Sequence, residues 1–215
     1  MGDMTSVLRR RPAQRRSAVR VERMLDECAL LLDEAGYDAL TTKEVARRAE
    51  VPIGTFYQFF RDKQALVRAL ALRNLDAFLE RITQRVAGAD LGHWTDLVDL
   101  AVDEFVHMKR TTPGFGVVDF GEVLIAPGGP ALPGTHRALD EARDNNEIVA
   151  DRLRLLTREL LDAPAGPGLD RALLVAVEAT DAVLKLAFRA DPAGDPQLIA
   201  ECKQLVRRYL ADHLP

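Results

Sequence analysis

Residues 40–66 read LTTKEVARRAEVPIGTFYQFFRDKQAL, and this stretch decides the fold. Thr41 is followed three residues later by Glu44, the spacing of a capping box that opens a helix. That helix runs to about Ala49. Pro52 suits the first turn of a second short helix, which ends near Phe60. Two short helices joined by a tight turn read as a helix-turn-helix, whose second helix enters the DNA major groove with its N-terminal residues at base edges. A projecting helix needs a firm apolar base. Val45, Ala46 and Ala49 are small enough for close approach, and Val51, Phe56, Phe59 and Phe60 supply the larger packing residues. Arg47 and Arg48 read as solvent-facing helix charges.

Outward from this stretch, the helical period continues in both directions. A first helix is expected from about Gln14 to Glu34, with the apolar stripe Val21, Met24, Leu25, Cys28, Leu31 and Leu32. Gly36 stands where a C-cap glycine ends a helix. Asp62 is placed to cap a fourth helix through about Val86, with the stripe Val67, Ala71, Leu75, Phe78, Ile82 and Val86. Further helices are expected at about 94–110, 115–124, 135–162, 169–189 and 196–213. Pro/Gly clusters at 112–114, 126–130, 163–168 and 191–196 separate them. No segment alternates with period two. The reading is an all-α chain of about nine helices. A flexible Arg-rich arm occupies 1–13, a three-helix helix-turn-helix domain 14–62, and a helical ligand-binding and dimerisation domain 63–215.

The 215 residues are 47% hydrophobic and 29% charged, which excludes a mainly disordered chain. Two cysteines, Cys28 and Cys202, exclude a disulfide scaffold and a four-thiolate zinc site. No apolar run reaches the roughly 18 residues of a membrane span, and no apolar stretch follows the N-terminal arginines as in a secretory signal. A cytoplasmic protein is expected. The net charge of −4 conceals a division. Residues 1–75 hold 14 Lys and Arg against 10 Asp and Glu, whereas the rest hold 15 against 23. The basic part coincides with the helix-turn-helix. The acidic part would be repelled by DNA, which discourages docking the wrong way round.

The 40–66 stretch resembles the tetracycline-repressor (TetR) family of bacterial regulators. Its Gly54-Thr55-Phe56-Tyr57 core, the aromatics and Lys63 after it, the arginine-rich arm and Ala35-Gly36-Tyr37 all carry the likeness. The resemblance covers about residues 10–75; beyond them only helix number and length match. It implies a double-stranded DNA partner with a palindromic operator. Thr42 would bond a phosphate, and Ile53, Gly54, Tyr57 and Gln58 would sit at base edges. Thr55 and Tyr57 would also reach phosphates, and Lys63 would pair with one. Arg9, Arg10, Arg11, Arg15 and Arg16 read equally as a solvated tail or as an arm that contacts phosphates or the minor groove. Departures are informative. Glu50 stands where the family commonly has a turn glycine, and a non-glycine residue at positive φ costs roughly 1 kcal/mol. Pro52 replaces a usual serine. Phe59 replaces a frequent His or Tyr, so one phosphate contact is missing. Ile53 replaces a frequent lysine and suits a thymine methyl.

The resemblance also implies a homodimer and a small-molecule effector, with repression as the usual mode. The broad apolar faces at 169–189 and 196–213 suit a four-helix bundle with their twofold mates. Candidate pocket residues are Phe78, Trp94, Phe105, Met108, Phe115 and Phe120, with Asn146 as the polar group that interrupts an apolar stripe. Residues 126–134 read as a surface loop, or else as a mobile lid or entrance. Alternatives are a DNA-binding regulator without an inducer and a helical metal protein. For the latter, Glu104 and His107 have Glu-x-x-His spacing and Asp103 is beside them, but a second copy is lacking. No phosphate loop, HExxH or Gly-x-Ser-x-Gly motif occurs. No enzyme, cofactor, metal or membrane partner is expected.

Overall fold

The computed structural model describes residues 15–88, 93–120, 149–157 except 152 and 156, and 167–214. The arginine-rich arm at 1–13, the loop at 126–134 and Asn146 lie outside the described residues, as does most of 135–162. The regular elements within them are helices: α1 (Arg15–Ala39), α2 (Thr42–Arg48), α3 (Ile53–Phe59), α4 (Lys63–Gly88), α5 (Trp94–Thr111), α6 (Pro167–Ala190) and α7 (Pro196–Leu210). The described positions between 149 and 157 are also helical. The chain divides into two compact units, Met1–Ala77 with Thr111–Glu141, and Phe78–Arg110 with Ala142–Pro215.

The core of the first unit is built from the expected stripe of α1, with Val21, Met24, Leu25, Cys28, Leu31 and Leu32 all buried. Burial pushes the Cys28 thiol up to about 12, so it is a packing residue and not a reactive thiolate. Gly36 interrupts α1 at φ 73°, ψ 177°. That left-handed φ is open to glycine and strained for other residues. Val45, Ala46, Ala49 and Val51 pack with Phe56, Phe59 and Phe60 in the same core.

One expected helix is not formed over its described residues, 115–120. Residues 112–120 form turns, not the start of a helix over 115–124. Phe115 N–H donates to the Thr112 carbonyl, and the amides of Val117 and Val118 both donate to Gly114. Gly114 lies at φ +74°, and Asp119 Oδ1 accepts from the Phe120 amide at 2.7 Å. Such a side-chain bond competes with helix formation. The apolar spacing of Phe115, Val118 and Phe120 reflects burial in an irregular segment. Asn74, itself buried, donates to the Val118 carbonyl at 3.2 Å.

This packing leaves no room at Gly114. A Cβ there would lie 2.9 Å from the Ala29 Cα and 3.0 Å from its carbonyl oxygen, both backbone atoms of α1. Left-handed strain and overpacking together should make Gly114→Ala cost about 2–4 kcal/mol. A chemical denaturation midpoint unchanged by the substitution would contradict this placement.

In the second unit, Trp94 packs with Leu169, Leu173 and Ala176 of α6 and with Val206 and Leu210 of α7. Asp195 caps α7, accepting from the Gln197 and Leu198 amides at 2.8 and 3.2 Å. Two ion pairs tie α5 to α7: Asp99–Arg207 at 2.8 Å and Asp103–Lys203 at 2.6 Å. The next residue, Glu104, is buried and takes Arg81 and Arg85 of α4 at 3.3 and 3.0 Å. A buried carboxylate requires such compensation. Asp103 and Glu104 thus have separate ionic partners on different helices. Among the described residues, no group of three His, Cys, Asp or Glu is arranged to hold a metal ion.

Candidate nucleic-acid interface

Helix α2 begins where the sequence places it. Thr41 has extended backbone, and its Oγ1 accepts the Glu44 amide at 3.2 Å. Glu44 does not complete the reciprocal box. Its carboxylate accepts from Arg47 at 2.6 Å and from Arg48 at 3.1 Å, and these guanidinium bonds hold its pKa down at about 2. Arg48 also reaches Glu34 at 2.7 Å and so fastens α2 to α1. Both arginines are therefore engaged in ion pairs at the helix surface.

The turn between α2 and α3 carries its strain at Glu50, the single non-glycine residue with positive φ among those described (φ 53°). This is the turn position where the sequence lacks a glycine. The Glu50 amide donates to the Arg47 carbonyl at 3.2 Å, and its carboxylate meets Arg23 of α1 at 2.7 Å. Pro52 supplies no side-chain cap to α3. Its carbonyl instead accepts from Thr55 and Phe56, at 2.8 and 3.1 Å. Pro52 stands just before the first turn of α3, one residue earlier than expected from the sequence.

Helix α3 has two distinct sides. Phe56 and Phe59 are buried, and Phe60 follows them into the core. Phe59 is packed inside, as expected for the residue that replaces a polar aromatic. Ile53, Gly54, Tyr57 and Gln58 are exposed, Ile53 and Tyr57 by 40% and 43%. A Cβ on Gly54 would meet nothing within 4 Å, so that position is open to an approaching surface. Thr55 is half-buried. The Tyr57 ring stands edge-on to Phe56 at 5.5 Å, and its hydroxyl lies 3.1 Å from Thr42 Oγ1. The structure thus brings Thr42 and Tyr57 together across two helices.

Lys63 opens α4 directly after Asp62, whose Oδ1 accepts from the Ala65 amide at 2.8 Å. A cation in a first helical turn opposes the helix dipole and needs other partners. Lys63 Nζ donates to the Tyr37 carbonyl at 3.0 Å and lies 4.3 Å from the centre of the Tyr37 ring. The sequence marks Tyr37 only as part of the family likeness and not as a partner of Lys63. Its spacing of 26 residues from Lys63 shows in no local pattern.

The six apolar pocket candidates are buried and fall in different units. Phe78, Trp94, Phe105 and Met108 belong to the second unit, whereas Phe115 and Phe120 pack edge-on at 5.4 Å in the first.

Comparison with known proteins decides the family. Residues 25–70 match the family described as bacterial regulatory proteins, tetR family. Residues 92–214 match the family described as tetracyclin repressor-like, C-terminal domain. The chain belongs to the TetR family. TetR proteins bind DNA, regulate transcription, act as dimers and are not enzymes. A TetR-family regulator from Streptomyces coelicolor is 42% identical with a TM-score of 0.77, the match covering 93% of this chain and 99% of that one. The repressor AlkX from Dietzia sp. strain DQ12-45-1b, implicated in n-alkane biodegradation, shares the fold at 19% identity and a TM-score of 0.60; the match covers 92% of this chain and 97% of AlkX. The HTH-type regulator YvdT of Bacillus subtilis (strain 168) is 32% identical over 83 residues, 39% of this chain and 42% of YvdT. No helix among the described residues is long and apolar enough to cross a membrane.

Proposed function

We propose that this TetR protein is a repressor that binds a palindromic operator as a homodimer and is released by a small-molecule effector. The observation that carries the reading is the two-sided α3. Ile53, Gly54, Tyr57 and Gln58 are presented outward from a helix anchored by buried Phe56 and Phe59. In this reading those four meet base edges, while Thr42, Thr55, Tyr57 and Lys63 meet phosphates. The arm is 1–13, the DNA-binding domain 14–62 and the ligand-binding and dimerisation domain 63–215.

Dimerisation is assigned to α6 and α7. Leu169, Ala172, Leu173, Ala176, Leu184 and Ala187 are buried within the chain. Val175 and Leu186 on α6 and Leu205 on α7 remain 43–45% exposed. Val175 and Leu186 are eleven residues apart, about three turns, and so share a face. A twofold dimer through that face matches a palindrome whose half-sites lie one helical turn, or a multiple, apart. The effector site is assigned to the second unit, with Phe78, Trp94, Phe105 and Met108 as apolar walls. To release DNA, the effector must bind the released geometry more tightly than the bound one.

The phosphate role of Lys63 has a direct test. Lys63→Ala should weaken binding at all DNA sequences and make the salt slope shallower by about one for each protomer. An unchanged slope would remove Lys63 from the interface.

A further inference from the structure

We propose that Tyr37 is a positioning residue for DNA binding: its carbonyl and its ring hold the Lys63 ammonium ready for a phosphate. The inference rests on the phosphate role of Lys63 given above. Tyr37 makes two contacts with one cation. Lys63 Nζ donates to the Tyr37 carbonyl at 3.0 Å, and the same nitrogen lies 4.3 Å from the ring centroid. An ammonium has three protons, so a carbonyl and a ring leave one for an incoming oxygen.

Tyr37 is itself held in place. Gly36, at φ 73° and ψ 177°, turns the chain out of the helical path immediately before it. The Tyr37 carbonyl also accepts the Leu40 amide at 3.2 Å, which fixes the direction of its oxygen. The ring is partly buried against the core of the headpiece. Lysine is otherwise a flexible stem that loses much rotamer freedom when its head is immobilised. Here much of that loss occurs on folding, before DNA arrives.

A double-mutant cycle tests the proposal, using a DNA duplex selected by the wild-type protein and affinities measured across salt concentration. Tyr37→Phe keeps ring and carbonyl and should bind within about twofold of wild type. Tyr37→Leu removes the ring and should weaken binding about three- to tenfold. Its salt slope should stay near wild type, because Lys63 still reaches the phosphate. Lys63→Ala should alter the slope, and adding Tyr37→Leu to it should cost nothing more. A Tyr37→Leu protein that binds like wild type, or loses the same factor in the Lys63→Ala background, would overturn the positioning role. So would a Tyr37→Phe protein as weak as Tyr37→Leu. If Lys63→Ala changes neither affinity nor slope, the phosphate assignment itself falls, and the positioning role with it.

A spectroscopic measurement on unmodified protein guards against a Tyr37→Leu variant that fails to fold. The chain has five lysines, and Lys63→Arg identifies the Lys63 signal. Its ε-protons should be shifted upfield by the Tyr37 ring in the DNA-free protein. An ε-proton shift in the ordinary lysine range would overturn the proposal.

Discussion

Phe56→Ala should unfold the DNA-binding headpiece or bring it close to unfolding. Phe56 is fully buried, with the Tyr57 and Phe60 rings each 5.5 Å away. It lies within a proline-opened helix of only seven residues, too short to be stable without tertiary packing. Truncating a buried Phe costs about 3–5 kcal/mol, a large share of the 5–15 kcal/mol that stabilises a typical domain. The expected result is a sharply lower denaturation midpoint, with loss of DNA binding as a consequence. A protein with wild-type stability would mean that α3 does not rest on Phe56.

The neighbouring residue should behave in the opposite way. Tyr57→Ala should weaken specific DNA binding about 10- to 100-fold, the range of a base-edge or comparable polar contact worth 1–3 kcal/mol. Stability should fall by no more than about 1.5 kcal/mol, since the main internal loss is one edge-on aromatic contact. Tyr57 is 43% exposed, and its hydroxyl partner is the surface residue Thr42 at 3.1 Å. Affinity titration and thermal denaturation of the same variant separate the two quantities. Intact affinity with a large loss of stability would make Tyr57 a structural residue. The contrast between positions 56 and 57 is the physical content of a two-sided recognition helix.

Much of this arrangement was legible in the sequence because its determinants are local. Thr41 caps the Glu44 amide, Asp62 caps Ala65, and Gly36 takes the positive φ that ends regular α1. Each depends on a residue and its near neighbours. The strained turn was legible at Glu50 because a position that prefers glycine keeps its φ when another residue fills it.

What escaped reading is set by contacts between distant residues. The reciprocal half of the capping box lost to two guanidiniums, which attract the Glu44 carboxylate more strongly than one backbone amide does. The 115–120 segment has apolar residues at spacings that fit a helix. The glycine before it instead packs on Ala29, eighty-five residues earlier, in a geometry no local pattern encodes. Glu104 looked like half of a metal motif. Its partners Arg81 and Arg85 are 23 and 19 residues away and became visible only with α4 and α5 in place. Tyr37 and Lys63 are separated in the same way.

In the proposed function, the outward side of α3 reads DNA sequence for a twofold dimer. Selection of bound duplexes from a random pool tests it most directly, run in parallel with wild-type protein and with Tyr57→Ala. Wild type should enrich an inverted repeat with half-sites one helical turn, or a multiple, apart, and Tyr57→Ala should lose that enrichment while remaining folded. A pool with no enriched sequence, or the same repeat enriched equally by both proteins, would contradict it.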